Sequence, residues 1–311
     1  MKRLFLAISI QLSAIGLLCA QVNIADTMYY VLVTYNGNSA TVEMTDDVKS
    51  YVTASVSGAD VTITSTASAA INEITYGLTG TTSDGSFTMV GTYKATVELF
   101  GVNITNPSGP AIDLQNGKRI EISAKSGTTS TLKDGTSTAT DAWKGALQCK
   151  GHIQFKGRGT LNVYGNYNHA IRAGEYIEMK NCTINVYSAV KDAINCNQYF
   201  LMESGEINLS GFGDDGIQVS KETNDTSAEN TGNFTMNGGT ININMAGASG
   251  DSVKAEGTKS VASSAALNVT NTQGVEEIQN NETRYTKVVR DGQVLIERDG
   301  KLFTITGNKI K

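Results

Sequence analysis

The stretch Leu161–Leu209 carries Leu161-Asn162-Val163, Ile184-Asn185-Val186 and Ile207-Asn208-Leu209, each triplet 23 residues after the last. In each, two apolar residues flank a polar one, the alternation of a strand whose outer residues turn inward. The register starts at Val102-Asn103-Ile104 and continues through Ile241-Asn242-Ile243 and Leu267-Asn268-Val269. A second set is Ala111-Ile112-Asp113-Leu114, Ala146-Leu147-Gln148-Cys149, Ala170-Ile171-Arg172-Ala173, Ala193-Ile194-Asn195-Cys196, Gly216-Ile217-Gln218-Val219 and Ser252-Val253-Lys254-Ala255. A third is Ile120-Glu121-Ile122, Ile153-Gln154-Phe155, Ile177-Glu178-Met179, Phe200-Leu201-Met202 and Phe234-Thr235-Met236. Three sets in constant order predict an all-β protein, a right-handed parallel β-helix with three short strands per coil of about 23 residues. No coil buries its own apolar face; stacking at about 4.8 Å does. An antiparallel sandwich explains the alternation but not the constant order and spacing.

First residues of the second set are separated by 35, 24, 23, 23 and 36 positions. The two long intervals hold Ser/Thr/Asp-rich insertions, Thr128–Lys144 and Glu222–Gly232, read as loops. Small residues recur at one corner, Gly159, Cys182, Gly205, Gly239 and Ala265, where a tight bend disfavours large side chains. Residues 21–85 keep the period poorly and read as a cap with irregular first coils, with strand-like stretches at Tyr29–Tyr35 and Ala59–Ser65. The coils proper span 86–274, and 275–311 read as a hairpin tail with turns at Asp291-Gly292 and Asp299-Gly300.

Residues 1–20 read as an export signal: Lys2 and Arg3, an apolar run from Leu4 to Leu18, and a cut after Ala20. The run is too short for a membrane span, and no transmembrane segment is expected elsewhere. Bulky Leu18 disfavours lipidation of Cys19. The expected location is outside the cell, secreted or on the outer surface. Losing Lys2 and Arg3 takes the net charge from −5 to −7, which argues against nucleic acid as the main partner. Cations can still bridge the chain to an acidic polysaccharide.

Cys149 and Cys196 face inward two coils apart, about 9.6 Å and beyond disulfide reach. With Cys182 they read as buried thiols, and without a CxxC motif a zinc site is not expected.

The strongest polar signal stands just before the second-set strands, where His169, Asp192, Asp215 and Asp251 stack, with Asp214 beside Asp215. Carboxylates on neighbouring coils at roughly 5 Å repel unless compensated. Ca²⁺, which takes six to eight oxygens in irregular geometry, resolves that repulsion. Solvated turn aspartates are the competing reading. The outward row of the same strands is Asp113, Gln148, Arg172, Asn195, Gln218 and Lys254, either a soluble face or a track for a hydroxyl- and carboxylate-rich chain. Tyr164 with Tyr187, and Tyr176 with Tyr199, stack on adjacent coils, as sugar platforms or as sheet-stabilising pairs. Trp143 is a sugar platform or a loop anchor. The outward Asn162, Asn185, Asn208, Asn242 and Asn268 form an amide ladder with a structural role.

Lys144-Gly145-Ala146-Leu147-Gln148, Gly159-Thr160-Leu161-Asn162-Val163, Gly165-Asn166-Tyr167-Asn168-His169-Ala170-Ile171, Gly213-Asp214-Asp215-Gly216-Ile217 and Gly238-Gly239-Thr240-Ile241 follow in order. Together they resemble a bacterial family of carbohydrate-binding β-helix proteins over residues 86–274. That family is similar in fold to polysaccharide lyases acting on pectate. The resemblance implies binding of cellulose or polygalacturonate, assisted by calcium. The family's Asp-Asp-Gly-Ile corner is intact only at Asp214–Ile217, which implies fewer ions here. Similar lyases place an acid soon after that corner; Gln218 stands there, which weakens the case for an enzyme. The tail from Val288 to Lys309 resembles short C-terminal tails on exported proteins of Bacteroidetes-like bacteria, which engage secretion or surface-attachment machinery; a β-helix end cap is the other reading.

Three functions follow as expectations. The leading one is a non-catalytic, calcium-assisted polysaccharide binder with metal ligands Asp192, Asp214, Asp215 and Asp251. Its sugar contacts are His169, Arg172, Asn195, Gln218, Lys254, Tyr164 and Tyr187. A pectate-lyase-like enzyme is the second, with Lys254 or Arg172 as base (Lys191 is a further candidate). The third is a structural or adhesive surface protein. No Ser/His or Cys/His nucleophile stands at motif spacing, and Asp192 and Asp215 are too close for inverting glycoside hydrolysis.

Overall fold

The computed structural model describes residues 24, 27–136, 143–271, 285–290, 293–298 and 301–304. The expected export signal, Cys19 and the two expected tail turns lie outside them. Every regular element among the described residues is a β-strand. They form two units, 1–273 and 274–311.

In the first unit the strands pair mostly in parallel between corresponding positions of successive coils. Leu161-Asn162-Val163 pairs with Ile184-Asn185-Val186, which pairs with Ile207-Asn208-Leu209, then Ile241-Asn242-Ile243, then Leu267-Asn268-Val269. Ile153, Ile177, Phe200 and Phe234 align in a second row. These two rows belong to one 17-stranded sheet, because Ile74–Thr82 pairs with both Ala95–Leu99 and Asn103–Thr105. A separate nine-stranded sheet runs from Val52–Ser57 to Val253–Ala255 and carries the second set of the sequence repeat.

Inside, identical positions stack. Ile112, Leu147, Ile171, Ile194, Ile217 and Val253 are in register and no more than 4% exposed. Each such side chain contributes about 1.5–3 kcal/mol by leaving water, which a lone coil cannot achieve. Phe200 and Phe234 stack with centroids 5.3 Å apart. The small-residue corner has a steric cause: at Gly205, with φ of 104°, a Cβ would sit 2.5 Å from the carbonyl oxygen of Cys182. Cys149, Cys182 and Cys196 are free and buried, and burial pushes each thiol up to about 12.

One expectation about organisation changes. Thr128–Lys144 is not wholly a loop, because Thr129–Lys133 is a strand pairing with Asn103–Thr105 and Thr160–Gly165. Ser130 stands where the other coils carry an apolar residue and is buried all the same, so its polarity hid the strand. In the segment before residue 86, Tyr30–Asn36 pairs in parallel with Ile74–Thr82, and Ala59–Ser65 with Gly85–Val90. Two antiparallel partners, Ser39–Met44 and Val52–Ser57, flank those first strands. Glu222–Gly232 holds no strand. The second unit is an antiparallel three-stranded sheet, Tyr285–Arg290, Gln293–Arg298 and Lys301–Thr304. No helix among the described residues is long and apolar enough to cross a membrane.

Candidate functional site

Pairing in the nine-stranded sheet sets Asp113, Gln148, Arg172, Asn195, Gln218 and Lys254 side by side. Alternation turns all six outward. Neighbours hydrogen-bond along the row: Gln148 Nε2 donates to Asp113 Oδ1 at 2.9 Å, and Asn195 Nδ2 to Gln218 Oε1 at 2.8 Å. Arg172 breaks the chain. Its Nη2 reaches Asn197 Oδ1 at a long 3.4 Å, while Nη1 is buried without a hydrogen-bond partner. Burial lowers its pKa from the usual guanidinium value. An under-satisfied guanidinium on an outward row is suited to a carboxylate brought by a ligand.

At the turn before these strands, Asp192, Asp214 and Asp215 each place a carboxylate oxygen within 4.8 Å of the others. Asp192 and Asp215 are each 1% exposed. Asp192 accepts from the Asp215 amide at 3.2 Å and from Asn195 Nδ2 at 2.6 Å, and His169 Nδ1 stands 3.3 Å away without a hydrogen bond. Burial pushes its carboxyl up, but the contacts from His169 and Asn195 outweigh that and hold it below the usual range. Asp215 Oδ1 accepts the Asp251 amide at 2.7 Å. Asp215 Oδ2 is buried with no hydrogen bond, facing the Lys254 ammonium at 3.1 Å. The carboxylates therefore do two jobs: they cap the next coil's backbone N–H groups, and they concentrate negative charge.

A hard divalent cation fits this donor set. Three carboxylates converge, one buried oxygen lacks a hydrogen bond, and only oxygens are offered. Gly250 makes room, since a side chain there would collide with Oδ1 of both Asp214 and Asp215. Asp251 is not in the converging set; it contributes its backbone N–H to Asp215 and exposes its side chain. In register with the Asp-Asp-Gly-Ile corner, Gly250 takes the place of Asp214 and Asp251 that of Asp215, one coil on.

Lys254 lies in the corner as well as in the row. The close contact with the Asp215 carboxylate and its charge raise the Lys254 pKa above the ordinary lysine value. That is the wrong direction for a base abstracting a proton near neutral pH. His169 likewise serves the corner, as a neighbour of Asp192, with only a small part of its ring open to solvent.

The aromatic expectations divide. Tyr164 and Tyr187 stack with centroids 5.1 Å apart. The register slips between them: Val163 pairs with Val186, but Tyr164 pairs with Ser188. Tyr187 is thus the extra residue of a β-bulge and is 46% exposed. Tyr176 and Tyr199 stack at 4.4 Å, and His152 extends the column, 4.0 Å from Tyr176. Trp143 is a loop anchor: 4% exposed, it donates Nε1–H to Asp134 Oδ2 at 3.3 Å and packs on Tyr167 at 4.7 Å. The expected amide ladder is present, each Asn donating to the previous coil's Asn at 2.7–2.9 Å.

The curated proteins contain no match to this sequence. A solved structure similar in fold is described as the polysaccharide lyase-like protein from C. thermocellum, gadolinium derivative. The two share 20% identity and a TM-score of 0.61 over 77% of this chain and 99% of that one. At that identity the likeness concerns the fold. A family model described as carbohydrate-binding domain-containing protein matches residues 57–308, most of the chain, and so the protein belongs to that carbohydrate-binding domain family.

Proposed function

We propose that the protein is a secreted, calcium-assisted binder of an extended acidic polysaccharide, folded as a right-handed β-helix. The observation that supports it most is the aligned outward row Arg172, Asn195, Gln218 and Lys254 directly above the Asp192–Asp214–Asp215 corner. Arg172 offers a buried, under-satisfied guanidinium to a uronate carboxylate. Gln218, held in place by the buried Asn195, offers its amide to hydroxyls, and Lys254 supplies a half-exposed ammonium. Asp192, Asp214 and Asp215 would hold Ca²⁺, which neutralises their charge and lets an anionic chain approach. Under this reading 1–20 is an export signal, and the C-terminal unit serves secretion or surface attachment.

Electrophoresis through gels cast with polygalacturonate, with and without chelator, tests the proposal. Retardation that chelator abolishes, with the polymer intact, is expected; no retardation overturns it. A cleared zone would instead favour the lyase reading.

A further inference from the structure

We propose a second glycan-binding site on a different face, the outer surface of the asparagine ladder, which takes a neutral polysaccharide lying along the coil axis. A shallow groove of about 250 Å³ runs there, lined by Asn185, Asn208, Asn242 and Asn268 with Tyr187 beside them. No lining residue is charged. That separates it from the Asp–Lys–Arg corner on the nine-stranded sheet; with no cation in its lining and the Glu206 carboxylate on Asn208, the groove selects a neutral chain over a uronate.

Hydrogen-bond capacity points the same way. A side-chain amide has two donor hydrogens and an acceptor oxygen with two lone pairs. In the ladder each Asn Nδ2 gives one hydrogen to the oxygen of the preceding coil. Asn208 spends its second hydrogen on Glu206 Oε1 at 3.1 Å. Asn185, Asn242 and Asn268 keep a second hydrogen, and the oxygens of Asn162, Asn185, Asn208 and Asn242 each keep a lone pair. The ladder thus fixes the amide planes while presenting a polar rung on every coil, about 4.8 Å apart. That repeat is close to the length of one hexose residue, so successive sugars meet equivalent rungs.

Tyr187 supplies the apolar platform. The bulge that adds it to its strand leaves its ring 46% exposed, and stacking on Tyr164 with planes 22° apart holds it in place. Bulges re-aim side chains at functional edges, and a pre-oriented ring packs on a sugar face at little entropic cost. The site rests on the carbohydrate-binding family and the groove's chemistry, and is independent of the calcium corner.

Electrophoresis through hydroxyethyl cellulose, galactomannan and polygalacturonate, all with chelator present, tests it. The parent protein is expected to be retarded by at least one neutral polymer despite chelator. Tyr187→Ala with Asn268→Ala, both at exposed positions, should weaken that binding about tenfold; calcium-dependent polygalacturonate binding should not change, because Tyr187, expected among the sugar contacts of the row, lies on the 17-stranded sheet and the row on the nine-stranded one. Asp215→Asn should do the reverse, so the two sites fail separately. Tyr187→Trp gives a readout free of any folding defect: its emission, after subtraction of the parent's Trp143 signal, should shift on adding the retarding polymer. No retardation by any neutral polymer, neutral binding undiminished in the double variant, or unshifted Tyr187→Trp emission each overturns the site.

Discussion

Replacing Lys254 by Met removes the ammonium that stands 3.1 Å from Asp215 Oδ2. In the proposed binder that ammonium and Ca²⁺ compete for the same buried oxygen, so Lys254→Met should tighten calcium binding. Three carboxylates and one ammonium carry a net charge near −2, and without the lysine near −3. The Lys254 side chain is 51% exposed, so the pair is worth what solvent-screened pairs are worth, about 0.2–1 kcal/mol. In affinity that is up to about fivefold. For the parent protein, Ca²⁺ at a hundred times its Kd adds about 2.7 kcal/mol. At about 2–4 °C per kcal/mol for a domain of this size, Tm should rise by about 5–11 °C. Thermal melts over a calcium titration measure both quantities. Lys254→Met should reach its half-maximal Tm shift at up to fivefold lower Ca²⁺, and Asp215→Asn should abolish the shift. A parent Tm indifferent to millimolar Ca²⁺ refutes the cation corner. A Lys254→Met variant that needs more Ca²⁺ than the parent refutes the competition.

Burial pushes the Asp134 carboxyl up to about 6, against donors on Asn166 and Trp143 that oppose the shift. The folded state therefore keeps a proton that the unfolded chain has released, so this group's contribution to stability falls as pH rises from about 4 to 6. The loss is at most about 3 kcal/mol, and Asp134→Asn should flatten it in urea melts at stepped pH. Ile194→Ala, at a fully buried position, should cost about 2–5 kcal/mol by the same melts. Asn208→Leu removes two ladder hydrogen bonds and should cost about 1–3 kcal/mol, less if water replaces them. Arg172→Met should weaken polygalacturonate binding while leaving hydroxyethyl cellulose binding unchanged, as gel retardation on the two polymers would show.

Much of the fold was legible because its signals are local and repeated. Leu161, Ile184 and Ile207 announce their burial by alternation, and their equal spacing announces their stacking. Where a coil departs from the pattern, reading fails for a physical reason. Ser130 is polar yet buried, so its strand passed for loop. Tyr30–Asn36 pairs with Ile74–Thr82 across two antiparallel pairings, its own with Ser39–Met44 and that of Val52–Ser57 with Ala59–Ser65, which erase the period while leaving the parallel pairing intact.

The site was half legible. Asp192 and Asp215 come together because equal spacing on a stacked fold leaves them no alternative, and the outward row follows from the same arithmetic. The chemistry between side chains did not follow from spacing. Asp251 is in sequence register with the corner, but contributes only its backbone N–H to it. Lys254, a candidate base and sugar contact by spacing, lies 3.1 Å from Asp215, a contact that spacing does not reveal. Trp143 was open between platform and anchor until Asp134 and Tyr167 closed around it. Tyr187 owes its exposure to a bulge that no composition rule reveals. The order of residues settled which side of each strand faces the core, because that depends only on neighbours along the chain. Which charge meets which, and which ring meets water, belonged to the tertiary structure, because rotamers, bulges and turns set those distances between coils.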